Sequence, residues 1–127
     1  MTTAVHKIIS EAMESLGLEY SFGEYSGVPF VYPYFVGEYT ETEPFTEDGL
    51  QETTFLLTGF SRESWAALEA AKENIETYFN QVGGKTVIAD NGSAVAIFYA
   101  SSLIVPTGDA ELKRIQINLT IKEWRVN

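Results

Sequence analysis

Cysteine is absent from this 127-residue sequence, and histidine occurs once, at His6. Without thiols there are no disulfides, no thiolate catalysis and no cysteine-based zinc or iron–sulfur site. A single imidazole excludes metal sites built on several histidines. No apolar run approaches the ~20 residues needed to span a bilayer. The first seven residues carry one cation, Lys7, with no long apolar stretch behind it, so a secretory signal is not expected. Basic residues are scarce as well: 8 Lys and Arg stand against 18 Asp and Glu, for a net charge of −10. What remains is an ordinary globular mix, 45% apolar and 20% charged, at a length that suits one domain over residues 1–127. The expectation is a soluble, intracellular domain with no membrane partner.

The charge is unevenly placed. Residues 8–61 contain ten acids and no Lys or Arg, whereas residues 62–127 hold eight acids and seven bases. Six of the ten acids fall between Glu38 and Glu52, and Glu41, Glu43, Glu47 and Asp48 crowd a segment at about 41–50. One reading is a solvated loop that maintains solubility. The other is a negative surface that meets a basic partner or repels nucleic acid. Direct phosphate binding by this half is disfavoured, because nothing in it neutralises phosphate charge.

The chain reads as two helices and a set of strands. Val5, Ile8, Ile9, Ala12, Met13 and Leu16 follow helical spacing over 4–16, with Thr2 or Thr3 as N-cap and Gly17 as the stop. Leu18, Tyr20 and Phe22 alternate, which suggests a short strand. Gly23, Gly27, Pro29 and Pro33 then interrupt regular structure. Residues 34–42 and 51–60 form a hairpin around Pro44 and Glu47-Asp48-Gly49. A second helix over 62–82 carries Trp65, Leu68, Ala71, Ile75, Tyr78, Phe79 and Val82 on one stripe. It is capped by Ser61 or Ser64 and stopped at Gly83-Gly84. Strands at 86–89, 93–105 and 112–126 follow, the first two joined by the Asp90-Asn91-Gly92 turn. The predicted class is α+β: an antiparallel or mixed sheet with two helices on one face, in the order α-β-β-α-β-β-β.

No catalytic, cofactor-binding or metal-binding set emerges. Gly83-Gly84-Lys85-Thr86 matches the end of a phosphate-binding loop, but Phe79 stands where that motif needs glycine, and a helix precedes it where a strand should. Asn91-Gly92-Ser93 and Asn118-Leu119-Thr120 match the glycosylation pattern by chance in a chain without a signal. His6 has no nucleophile motif to serve. The acids at 38–52 lack calcium-loop spacing. The aromatics clustered at 20–39 lack the interleaved cations that stacking on single-stranded nucleic acid requires, so packing and interface roles fit them better. Sheet edges in a small domain must pair or be covered. Tyr32, Tyr34 and Phe35 are the candidates for self-association.

One resemblance spans most of the chain. Tyr32-Pro33-Tyr34-Phe35-Val36 leads into one strand, and Gly49-Leu50-Gln51-Glu52 into the next. Thr54-Phe55-Leu56-Leu57-Thr58-Gly59-Phe60 then passes through Ser61-Arg62-Glu63-Ser64-Trp65 into the helix Ala66-Ala67-Leu68-Glu69. With the element order, these segments resemble the small tail-terminator or tail-completion proteins of long-tailed bacteriophages and prophages. The resemblance implies a non-enzymatic subunit without cofactors. It implies a ring, usually a hexamer, that caps the tail tube, contacts the tube protein and the head or neck connector proteins, and lets DNA pass without specific binding. It also implies a place in the virion, at the tail or neck, after assembly in the bacterial host cytoplasm. An acidic lumen over Glu41, Glu43, Glu47 and Asp48 would suit that passage. The alternatives are a neck or head-completion protein, an acidic DNA mimic, and a small-ligand binder using the aromatics. The near-neutral second half argues against mimicry over the whole surface.

Overall fold

The computed structural model describes residues 1–24, 32–41, 49–80 and 84–124. Its elements run α1 (Thr3–Ser15), β1 (Glu19–Phe22), β2 (Tyr34–Thr40), β3 (Leu50–Ser61), α2 (Trp65–Tyr78), β4 (Lys85–Ile88), β5 (Ala94–Ile104) and β6 (Lys113–Trp124). All six strands form one sheet in the order β1-β2-β3-β6-β5-β4. β1 and β2 are parallel, and every other neighbouring pair is antiparallel. The α+β class is the one predicted, and of the two sheet types allowed, antiparallel or mixed, the parallel β1–β2 pair makes it mixed. The predicted order omits β1, which forms where Leu18, Tyr20 and Phe22 alternate. Glu43, Pro44, Glu47 and Asp48 lie outside the described residues.

β3 and β6 are the spine of the sheet, paired over twelve residues from Leu50↔Trp124 to Ser61↔Lys113. Their alternation is strict. Phe55 and Leu57 on β3 and Ile115, Ile117, Leu119 and Ile121 on β6 are buried on one face, while Gln116, Asn118, Thr120 and Lys122 take the other. Both described helices lie on the first face. Val5, Ile9, Ala12 and Met13 of α1, with Leu68, Ala71 and Ile75 of α2, join those strand residues in one core.

The helix ends depart from prediction for identifiable reasons. Thr2 holds the N-cap position of α1, but its hydroxyl does not cap; it donates to Glu123 Oε2 at 2.6 Å. Gly17 ends α1 at φ 70°, with its N–H bonded to Glu14 and the Leu18 N–H bonded to Met13, which satisfies two terminal carbonyls. Ser64 caps α2 by accepting the Ala67 N–H at 3.2 Å. α2 spans 65–78, not 62–82, because Phe79 leaves the helical region and its carbonyl accepts the Tyr99 N–H at 2.6 Å. Trp65, predicted to lie on the buried stripe, is 39% exposed in the first turn.

Two glycines shape the sheet. A Cβ on Gly59 would come within 2.5 Å of the Phe35 ring, and one on Gly37 within 2.6 Å of Phe55 and of the Tyr20 hydroxyl. Aromatic rings thus lie across β2 and β3 where no side chain stands. In β5 the register shifts between Tyr99, opposite Leu119, and Ser101, opposite Asn118. Ala100 is the extra residue of a bulge, so the face read by Val95, Ile97 and Tyr99 passes to Ser102 and Ile104.

Two measurements test this core. Phe79, 1% exposed, shares a cluster with Leu68, Ile75, Ile117, Leu119 and Ile121. Phe79→Ala is expected to lower unfolding free energy in urea by about 3–5 kcal/mol; a loss below about 1 kcal/mol would contradict the packing. Burial pushes the Tyr20 phenol up to about 12. The unfolded phenol ionises near 10, so its contribution is complete below pH ~10 and is lost as pH rises towards 12. Alkaline melting should therefore be steeper in wild type than in Tyr20→Phe over that window.

Candidate assembly interface

The predicted contact residues separate once the backbone is traced. Tyr34 lies on the sheet face opposite the helices, stacked on its β-ladder partner Phe60 with ring centroids 5.2 Å apart. Tyr32 lies beside it at 5.6 Å, just after a stretch outside the described residues and before a cis bond to Pro33. Both are half-buried, so each still presents an edge to a partner. Phe35 does not. Alternation turns it to the helix side, where it is fully buried over Gly59. Its assignment as a contact residue is corrected: it is a core residue.

Arg62 adjoins Tyr32. It bonds Asp109 at 3.2 Å across the β3–α2 and β5–β6 junctions. Its ionisation is pushed up, first by that bond and next by one to Tyr32. Asp109 is held low by the Glu111 N–H and then by Arg62. The pair is exposed, so its value is geometric more than energetic.

The acidic end contains one residue with a structural attachment. Glu41 follows β2 and accepts from Gln51 Nε2 at 3.1 Å and Thr53 Oγ1 at 3.2 Å, and it ion-pairs with the amino terminus of Met1. Gln51, Thr53 and Glu123 are buried polar residues on the helix side, beneath the start of α1. Glu38, by contrast, is exposed on β2. The expected acidic surface therefore has a fixed root at Glu41, while Glu43, Glu47 and Asp48 fall outside the described residues.

Exposed apolar side chains in two places were not anticipated. His6 on α1 meets Phe22 edge-on at 4.6 Å and Tyr39 at 6.1 Å, and burial, then the nearby amino terminus, lowers its ionisation. At the far end of the sheet, Trp65, Leu103 and Ile104 stand 39%, 49% and 57% exposed. The adjacent Leu103-Ile104 pair was a usable signal, since in a strand one of two consecutive apolar residues must face away from a one-sided core. Among the described residues, no three His, Asp or Glu side chains gather as a metal site. None of the described helices is long and apolar enough to cross a membrane.

No family model matches this sequence, and no curated protein matches it at the sequence level. In structure the chain is similar to one chain of a solved particle described as the virion of a native gene transfer agent (GTA) particle. The TM-score is 0.65 at 11% identity, over 88% of this chain and 83% of that one. At that identity the likeness is one of fold.

The two described acids of this end should respond differently to truncation. Glu41→Ala removes the acceptor that the Gln51 and Thr53 side chains share and should cost about 1–3 kcal/mol. Glu38→Ala should change the melting temperature little. Equal effects in paired melting curves would show that Glu41 is not the root of the acidic end.

Proposed function

We propose that this chain is a structural, non-enzymatic subunit of a phage-like particle, and within it a tail-terminator or tail-completion subunit. The observation that carries the reading is the end-to-end fold likeness to a GTA virion chain, which spans most of both chains. The resemblance in sequence order between 32 and 69 supports the finer role. In this reading copies of the chain close into a ring, hexameric in the usual form, on the finished tail tube. The ring contacts the tube protein on one side and the head or neck connectors on the other.

The physical chemistry suits that task. The sheet face opposite the helices carries a neutral polar row, with Gln116 donating to Asn118 at 3.1 Å and Asn118 to Ser101 at 3.0 Å. Tyr32, Tyr34 and Phe60 flank the row and supply apolar contact area. A chain of net charge −10 repels phosphates, so DNA can pass a lumen lined by Glu41, Glu43, Glu47 and Asp48 without adhering. No cofactor is required for capping or passage. The subunit would assemble in the host cytoplasm and remain in the virion at the tail or neck.

Negative-stain electron microscopy of the purified protein with tail tubes is the direct test. Rings capping tube ends are expected; tubes that stay uncapped and grow on would refute the tail reading. Tyr34→Asp should weaken self-association in sedimentation velocity by placing a charge on the Tyr32–Tyr34–Phe60 cluster. An unchanged sedimentation coefficient across a concentration series would remove that cluster from the interface.

A further inference from the structure

The end of the sheet where β5 passes into β6 holds a groove of about 300 Å³. Trp65, Ile104, Val105, Pro106, Leu112 and Arg114 line it. Three observations converge there. Trp65 and Ile104 are large apolar side chains left substantially in solvent, and Ile104 is delivered to this side by the Ala100 bulge. Arg114 donates from Nη2 to the Pro106 carbonyl at 2.7 Å, while its buried Nε–H has no acceptor among the described residues. Lys113 adds a second cation to the rim, beside Asp109, which also lines the groove and is paired with Arg62. An apolar groove with a guanidinium fixed on the Pro106 carbonyl suits a partner surface that brings an acid beside apolar contact.

The rest of the chain offers such a surface. The opposite end of the sheet, where β2 ends and β3 begins, belongs to the half with ten acids and no base. Glu38 and Glu52 are exposed there, and Glu52 only shares Lys122 at 3.7 Å. The two patches lie at opposite ends of the strands, so one copy cannot join them. Two copies can, head to tail. Repetition of such a contact closes a ring when the rotation between copies allows it.

We propose that the Trp65–Ile104–Arg114 groove is the docking site for Glu38 and Glu52, on the open face of β2 and β3, in a second copy, and so forms the repeating contact of the assembly. This rests on the ring reading above, and it names the surfaces that reading needs.

The lack of cysteine permits a clean test. Ala110→Cys on the groove rim and Thr54→Cys beside Glu52 are introduced singly and together and treated with a short flexible bis-maleimide at high protein concentration, with and without tail tubes. The double variant should give a ladder beyond dimer, and each single variant should stay monomeric. Ile104→Ser and Arg114→Gln, each added to the double variant, serve as the weakening variants. Each should cut ladder yield on the order of tenfold. No species above monomer in the double variant, efficient dimers from Ala110→Cys alone, or a yield indifferent to both weakening variants would overturn the proposal. Capped tubes without a ladder would sink this contact and leave the tail reading standing. A ladder without capping would do the reverse.

Discussion

The close approach of aromatic rings to bare backbone at Gly37 and Gly59 is the constraint on which the rest of the domain depends. Phe35 lies over Gly59, its direct partner across β2 and β3, while Phe55 and Tyr20 occupy the space above Gly37. These rings fill the layer between sheet and helices at a point where β-branched neighbours would hold the helices further away. A methyl group at either glycine would displace a packed ring, and overpacking of this kind commonly costs 1–3 kcal/mol. Because the rings settle β1 and β2 onto β3, they also determine where Tyr34 emerges on the other face and where Glu41 meets β3.

A second constraint acts at the acidic end. The buried polar group of Gln51, Thr53 and Glu123 would be costly beneath a helix if left unpartnered. Thr2 and Glu41 supply partners from two different directions, one from the start of α1 and one from the end of β2. The chain beyond Glu41 is thereby anchored where its charge begins to accumulate. The first of those acids is held by two charge-assisted hydrogen bonds and an ion pair with the amino terminus, which lets the local charge begin beside the core without loosening it.

Much of this was legible in the residues. The stripes of α1 and α2, the strict alternation of β6, the Asp90-Asn91-Gly92 turn and the helix stop at Gly17 each rest on local rules that tertiary structure respected. The failures have a common source in long-range contacts. Thr2 reads as a cap until Glu123, 121 residues away, takes its hydroxyl. The second helix reads as continuing to Val82 until the Tyr99 N–H claims the carbonyl of Phe79. Phe35 reads as surface because its segment is rich in aromatics, yet the empty position at Gly59 draws it inward. The candidate surface was legible in part: composition singled out Tyr32 and Tyr34, which the fold leaves half-buried on the open face, whereas the side on which Ile104 emerges depends on a bulge that no local rule announces.

That bulge at Ala100 separates β5 into two stretches with opposite phase. Before it, odd-numbered positions are committed to the core; after it, the even-numbered Ser102 and Ile104 turn to the helix side, and Leu103 is freed to the open face beside Gln116. Were Ala100 drawn into the ladder, every later residue would shift by one partner and Leu103 would replace Ile104 on the helix side, whereas loss of Ala100 would leave Ser101 to Ile104 paired as they are. The bulge therefore decides which of two adjacent apolar side chains this end of the subunit presents on each face, with no change in composition.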